Sequence, residues 1–165
     1  MLDEIVLTKQ QEVEDAKQRV PFEDLKARLR SHVAERSFRQ AISVPGKLSL
    51  IAELKRKSPS KGMLRERFDP VSLAQTLQEA GASALSVLTD EAYFGGHLDF
   101  LRDAKHFTEI PVLRKDFIVD PYQVYEAAAY EADAVLLIVR ILTDETLVAC
   151  MQAADTVGIE PFVEV

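Results

Sequence analysis

Ile51-Ala-Glu-Leu-Lys-Arg-Lys-Ser-Pro-Ser-Lys-Gly62 is the stretch whose reading decides the fold. It begins within a largely apolar run, Leu48 to Leu54, with a β-branched residue and no Gly or Pro, which reads as a strand bound for burial. It ends in Ser58-Pro-Ser-Lys-Gly62, which reads as a turn or loop. Side chains alternate along a strand, so Ser49, Ile51, Glu53 and Lys55 share one face. A carboxylate and an ammonium two residues apart at the C-terminal mouth of a buried strand are costly to bury unless paired. The loop beyond them is rich in hydroxyls and N–H groups, a setting that suits phosphate. A structural salt bridge followed by an ordinary polar loop accounts for the same residues.

Downstream the pattern alternates. The first strand, Leu48 to Lys55, is followed by a helix opening at Pro70 and closing at Gly81, then by a second strand, Ala84 to Leu88. A loop with Tyr93-Phe-Gly-Gly96 leads to a helix from Leu98 to Phe107 and a third strand, Val112 to Lys115. Asp120-Pro121 caps the next helix, Ala134 to Val139 is a fourth strand, and Thr143 caps a helix that stops at Gly158. Phe162 to Val165 reads as a fifth strand.

Strands apolar on both faces and separated by single helices imply βαβ crossovers and a parallel sheet. Their starts recur every 28 or so residues, about the repeat of a doubly wound sheet or a (β/α)8 barrel of roughly 250 residues. No GxGxxG follows a strand, so nothing supports a dinucleotide-binding sheet. The expected fold is α/β of the (β/α)8 TIM-barrel type, present here as a partial barrel of about five parallel strands over residues 47–165. Residues 1–46 read as a polar helical extension whose apolar stripe (Leu2, Ile5, Val6, Val13) is too thin to stand alone. Pro21 suits the first turn of a second helix carrying Phe22, Leu25 and Leu29.

Composition narrows the function classes. The 165 residues allow one domain, and 47% hydrophobic with 28% charged content belongs to a globular protein. A formal charge of −7 argues against a nucleic-acid partner but leaves room for a small anion in a local basic pocket. Cys150 can form no internal disulfide and reads as a packed core residue. His32, His97 and His106 are too scattered for a metal site. With no membrane span and no secretory signal in the sequence, a cytoplasmic location is expected.

Four charges lie at or near the C-terminal ends of otherwise apolar strands: Glu53 and Lys55, Lys115, and Glu164, on strands one, three and five. Alternate barrel strands feed the same interior layers, and barrel enzymes keep their active sites at this end. If these side chains turn inward, two lysines and two glutamates converge over an apolar core, a constellation that suits catalysis. Burial lowers a lysine pKa and makes it a better acid, while the glutamates oppose that drop, so the net sign stays open. Ser58 and Ser60 add hydroxyl donors, and Phe94 and Phe117 place aromatic rings at the same mouth, as loop packing or as cover for an aromatic substrate.

These residues closely resemble the indole-3-glycerol phosphate synthase family. The resemblance is carried by Ile51 to Gly62, Ser86-Val-Leu-Thr-Asp90, Phe94-Gly-Gly96, Leu113-Arg-Lys-Asp-Phe-Ile118, Leu136-Leu-Ile-Val-Arg-Ile-Leu142 and Phe162-Val-Glu164. It covers essentially the whole chain, with Lys57 and His97 as small departures. It implies closure of the indole ring of 1-(2-carboxyphenylamino)-1-deoxyribulose 5-phosphate with loss of carbon dioxide and water. It further implies Lys115 as general acid, Glu164 as general base, Lys55 as the cation near the substrate carboxylate, and Glu53 positioning the lysines. Ser58 matches a phosphate contact, and Phe94, Phe117 and Leu136 match substrate-facing residues. No metal or organic cofactor is implied. The partner is a small phosphorylated anthranilate-derived substrate, with neither nucleic acid nor membrane involved.

The family takes further site residues and most of its phosphate grip from strands six to eight, which this sequence lacks. Weak or absent activity of these 165 residues alone is therefore expected. Open sheet edges lead to self-association or pairing with the missing C-terminal half. The alternatives are a non-catalytic half-barrel that acts as an assembly module, and a different phosphate-binding barrel enzyme such as an isomerase. The Glu53/Lys55 pair with Lys115 fits the isomerase poorly.

Overall fold

The computed structural model describes residues 2–29 and 36–165; His32 lies outside the described residues. Three helices open the chain: α1 (Leu2–Arg19), α2 (Phe22–Arg28) and α3 (Phe38–Ile42). Then follow β1 (Ile51–Leu54), a small hairpin of β2 (Lys57–Ser58) and β3 (Gly62–Met63), α4 (Pro70–Glu79), β4 (Ala84–Leu88), α5 (Glu91–Phe94) and α6 (Asp99–Phe107). The chain continues through β5 (Val112–Lys115), α7 (Pro121–Ala129), β6 (Ala134–Ile138), α8 (Asp144–Val157) and β7 (Glu160–Glu164). No described helix is long and apolar enough to cross a membrane.

Five strands form one parallel sheet in the order β1-β4-β5-β6-β7. Each new strand adds beside the last, with no reversal of direction across the sheet. A doubly wound sheet needs such a reversal, so the order is that of a partial (β/α)8 barrel. The helices start where capping chemistry dictates. Asp69 accepts from the N–H groups of Val71 and Ser72, Asp120 and Gln123 form a reciprocal box, and Thr143 accepts from Thr146 N–H.

The two sheet faces carry different cores. Ala52, Leu54, Leu85, Val87, Val112, Val135 and Leu137 pack against the helical layer. The opposite, concave face carries Ile51, Ala84, Leu113, Ala134, Leu136, Ile138 and Phe162, floored by Phe38 and Ile42 of α3. Glu160 seats that plug: its carboxylate accepts from the Ser37 hydroxyl and from Arg39 N–H, each at 2.6 Å, at the start of α3. The thin stripe of α1 finds its support on α7, where Val13, Leu25 and Tyr122 are buried together.

Several boundaries differ from those expected. The first strand is shorter than Leu48 to Lys55, because β1 is an edge with β4 as its partner, and Leu48 and Leu50 lie exposed ahead of the ladder. The fifth strand starts at Glu160, two residues early; Pro161 is tolerated there because β7 is also an edge. Val139 leaves the fourth strand to begin a 3-10 turn, Val139–Ile141. Pro21 precedes α2 as its cap instead of lying in its first turn. Ser58-Pro-Ser-Lys-Gly62 is a turn, as expected, and it closes a small hairpin: Ser58 pairs with Gly62 and Lys57 with Met63, and Gly62 takes the left-handed conformation at φ 66°. Cys150 is buried and free, and burial pushes its thiol up to about 11.

Candidate active site

Period-2 alternation sets the site. On the concave face Glu53 follows Ile51, and Lys115 follows Leu113, each one layer above an apolar residue. Lys115 Nζ reaches across β4 and donates to Glu53 Oε2 at 2.7 Å, while Lys55 Nζ lies 3.0 Å from Glu53 Oε1. One carboxylate therefore bridges two ammonium groups at the C-terminal end of the sheet. Burial raises the Glu53 pKa, but hydrogen bonds from Lys115 and then Lys55 outweigh it and hold the carboxyl below its ordinary value. The cluster keeps two acids beside one fixed anion, and both lysine side chains retain over a third of their exposure, enough to meet a ligand.

A cavity of about 610 Å³ opens beside these lysines, lined by Lys55, Ser58, Pro59, Ser60, Phe94 and Phe117 among others, with Leu2 and Ile5 of α1 at its rim. A smaller apolar recess adjoins it, formed by Leu88, Phe94, Lys115, Phe117, Leu136 and Ile138. The Phe94 and Phe117 rings stand 6.1 Å apart and are common to both. Five of the expected site residues thus border one cavity system with Lys55 and Lys115: Ser58, Phe94, Phe117 and Leu136 as walls, and Glu53 through its lysine partners. Ser58 is nearly buried, and its hydroxyl accepts from Lys61 N–H at 3.3 Å. Ser60 is exposed at the rim.

Glu164 stands apart. It shares the concave face with Phe162 by alternation, but it is exposed at the end of edge strand β7, and its carboxylate has no hydrogen bond or ion pair to any described residue. Three of the four charged groups meet; the fourth faces open space two strands from Lys115.

Sequence reading missed the buried scaffold behind the site. Lys9 of α1 is buried between Asp90 and Asp116, at 2.9 and 3.0 Å, and also pairs with Glu12 at 2.6 Å. Asp90 Oδ1 caps α5 by accepting from Tyr93 and Phe94 N–H, so it fixes the Phe94 backbone. Asp116 lies between Lys115 and Phe117 and also accepts from Thr89 Oγ1 at 2.6 Å and from Arg114 at 3.1 Å. Burial raises the Asp116 pKa, yet Arg114 and Lys9 pull it down to about 2. Burial likewise opposes charge on Lys9, and Asp116 and Asp90 more than restore it, raising its pKa above the usual lysine value. The available signal was Arg114, a charge in mid-strand that needs a buried partner. Its partners are Asp116 and Glu126; that Asp116 would also hold Lys9 of α1 was not visible, because that contact spans more than a hundred residues. Lys57 is a second omission: its Nζ donates to Ala92 O at 2.8 Å and ties the hairpin to α5.

Known proteins resemble this chain over nearly its whole length. A model of the family described as indole-3-glycerol phosphate synthase matches residues 2–165. The indole-3-glycerol phosphate synthase of Roseiflexus castenholzii is 44% identical over 171 residues, covering 100% of this chain and 64% of that protein. Proteins of the same description from Leptospira interrogans and Geobacillus thermodenitrificans are each 46% identical, covering 100% of this chain and 62% and 61% of their own lengths. The chain therefore spans less than two thirds of these relatives. With a sequential parallel sheet, a lysine–glutamate–lysine bridge at its C-terminal mouth and a match running almost end to end, the chain belongs to the indole-3-glycerol phosphate synthase family.

Proposed function

We propose that this chain supplies the N-terminal catalytic portion of an indole-3-glycerol phosphate synthase, a carboxy-lyase of tryptophan biosynthesis acting in the cytoplasm. The observation that carries the proposal is the Lys115–Glu53–Lys55 bridge beside a cavity walled by two phenylalanines. The substrate is 1-(2-carboxyphenylamino)-1-deoxyribulose 5-phosphate. Its aryl ring lies against Phe94 and Phe117 with Leu136 behind, its phosphate is near Ser58, and its carboxylate is near Lys55. Lys115 protonates the ketone oxygen as the ring carbon bonds to the carbonyl carbon. Carbon dioxide then departs, and the new hydroxyl leaves as water, with Lys55 available as acid. Glu164 is the base that removes the last proton; a group exposed at the sheet edge is free to take that role once further strands enclose it. Proton transfer and electrostatics suffice for these steps.

Residues 1–46 act in this reading as an extension whose α1 borders the mouth and whose α3 plugs the floor, and residues 47–165 as five of eight barrel units. The exposed Leu50, Val148, Met151 and Val163 lie at or near the two open edges and favour pairing with the remaining units or self-association. The experiment is an indole-fluorescence assay with the named substrate, run on a protein that continues this chain through all eight strands and on the 165 residues alone. Robust turnover by the former and very weak turnover by the latter is expected. No turnover by the eight-stranded protein contradicts the proposal.

A further inference from the structure

Ser86 lies in the middle of β4 on the concave face, between Ala84 below and Leu88 above. It is 5% exposed, and its hydroxyl has no hydrogen-bond partner among the described residues. A buried, unpaired hydroxyl is destabilising, and alanine would fill almost the same space without that penalty. Its neighbours explain what the hydroxyl can do. Ser86 is the register partner of Glu53 on one side and of Leu113 on the other. Adjacent strands stand about 4.8 Å apart, so one χ1 rotation of Ser86 with a small bend of Glu53 brings hydroxyl and carboxylate into contact. Lys115 reaches the same carboxylate from two strands away, over β4. Ser86 and Lys115 are thus two donors arranged around one acceptor, with Lys115 engaged and Ser86 waiting.

We propose that Ser86 is a positioning residue, the donor that takes over Glu53 Oε2 when Lys115 leaves it for a bound carbonyl. The proposal rests on the reading of Lys115 as the acid. In that step the proton moves from Lys115 Nζ to the carbonyl oxygen, and the neutral amine no longer balances Glu53. Lys55 remains on Oε1, and Ser86 supplies the second hydrogen bond, so the carboxylate keeps its place and its charge. Ser86 touches neither substrate nor reacting atoms; it acts through Glu53.

The test reads Glu53 directly and needs no turnover, so it stands or falls separately from the synthase assignment. The Glu53 carboxyl carbon is titrated by 13C NMR in the 165-residue chain and in Ser86→Ala, Lys115→Met and the double variant. Lys55 and Lys115 are the charged groups facing Glu53, and removing Lys115 mimics its departure. In the Lys115→Met background, Ser86→Ala is expected to raise the Glu53 midpoint by about half a pH unit, the effect of one lost hydrogen bond. With Lys115 present, the same substitution is expected to leave the midpoint almost unmoved. Equal shifts in both backgrounds, or none in either, overturn the proposal. Thermal melts give a second reading. A Ser86→Ala melting temperature equal to or above that of the parent supports an idle hydroxyl; a fall of more than about 5 °C shows a hydroxyl already bonded in the resting fold and overturns the proposal.

Discussion

Lys9 ties two parts of the site together from behind the mouth. Its ammonium joins Asp90, which caps the helix carrying Phe94, to Asp116, which separates Lys115 from Phe117. Lys9→Met leaves two buried carboxylates short of a cation, and the expected loss is about 3 kcal/mol of stability, measured by urea unfolding. Acid acts on the same network. Asp116 is ionised down to about pH 2 in the folded chain, so its contribution is complete above the ordinary aspartate value and is lost as the pH falls from about 4 toward 2. That loss amounts to about 2 kcal/mol. Unfolding free energies measured at pH 5 and pH 2 check it, and in Lys9→Met the decline between them is smaller, because without Lys9 the folded carboxyl titrates nearer its ordinary value. The charged ends of the strands were legible because Glu53, Lys55 and Lys115 interrupt apolar runs. Lys9 and Asp116 were not, because nothing in the local pattern of α1 marks one lysine among several as buried.

The elements around the mouth were read unevenly, for reasons that differ between them. Ala84–Leu88 and Val112–Lys115 were legible to the residue, since they are interior strands whose apolar runs start and stop sharply. The ends of β1 and β7 were not, because edge strands shorten where a neighbour is lacking and tolerate a proline that looks like a breaker. The two-residue strands of the hairpin carry too little periodicity to announce themselves. The loop between β4 and α6 is set by close approach: a Cβ on Gly96 would stand 2.2 Å from the Leu88 carbonyl oxygen, and Gly96 N–H donates to Asp90 O at 2.7 Å. Gly96→Ala must displace the backbone that carries Phe94. We expect a loss of about 2 kcal/mol in chemical denaturation, with the Phe94–Phe117 spacing widened in a crystal structure of the variant.

At the scale of the whole molecule, five strands curve over α3 and leave β1 and β7 unpaired on their outer sides. Exposed main-chain donors and acceptors beside apolar side chains favour association, so sedimentation velocity of the 165-residue chain is expected to show a weight-average mass that rises with concentration. A concentration-independent monomer would contradict that. The barrel architecture was legible from the regular spacing of strands and the absence of a dinucleotide fingerprint. The place of Glu164 was not, because alternation gives the face of a side chain but not what stands opposite it. The account turns on Lys115 delivering a proton at the mouth, a role that its position over Glu53 makes separable from folding. The most direct measurement is steady-state turnover of Lys115→Met in the eight-stranded protein, taken together with its melting temperature. The account predicts a fall in kcat of about a hundredfold or more with the melting temperature within a few degrees of the parent. Turnover within a few-fold of the parent would contradict it.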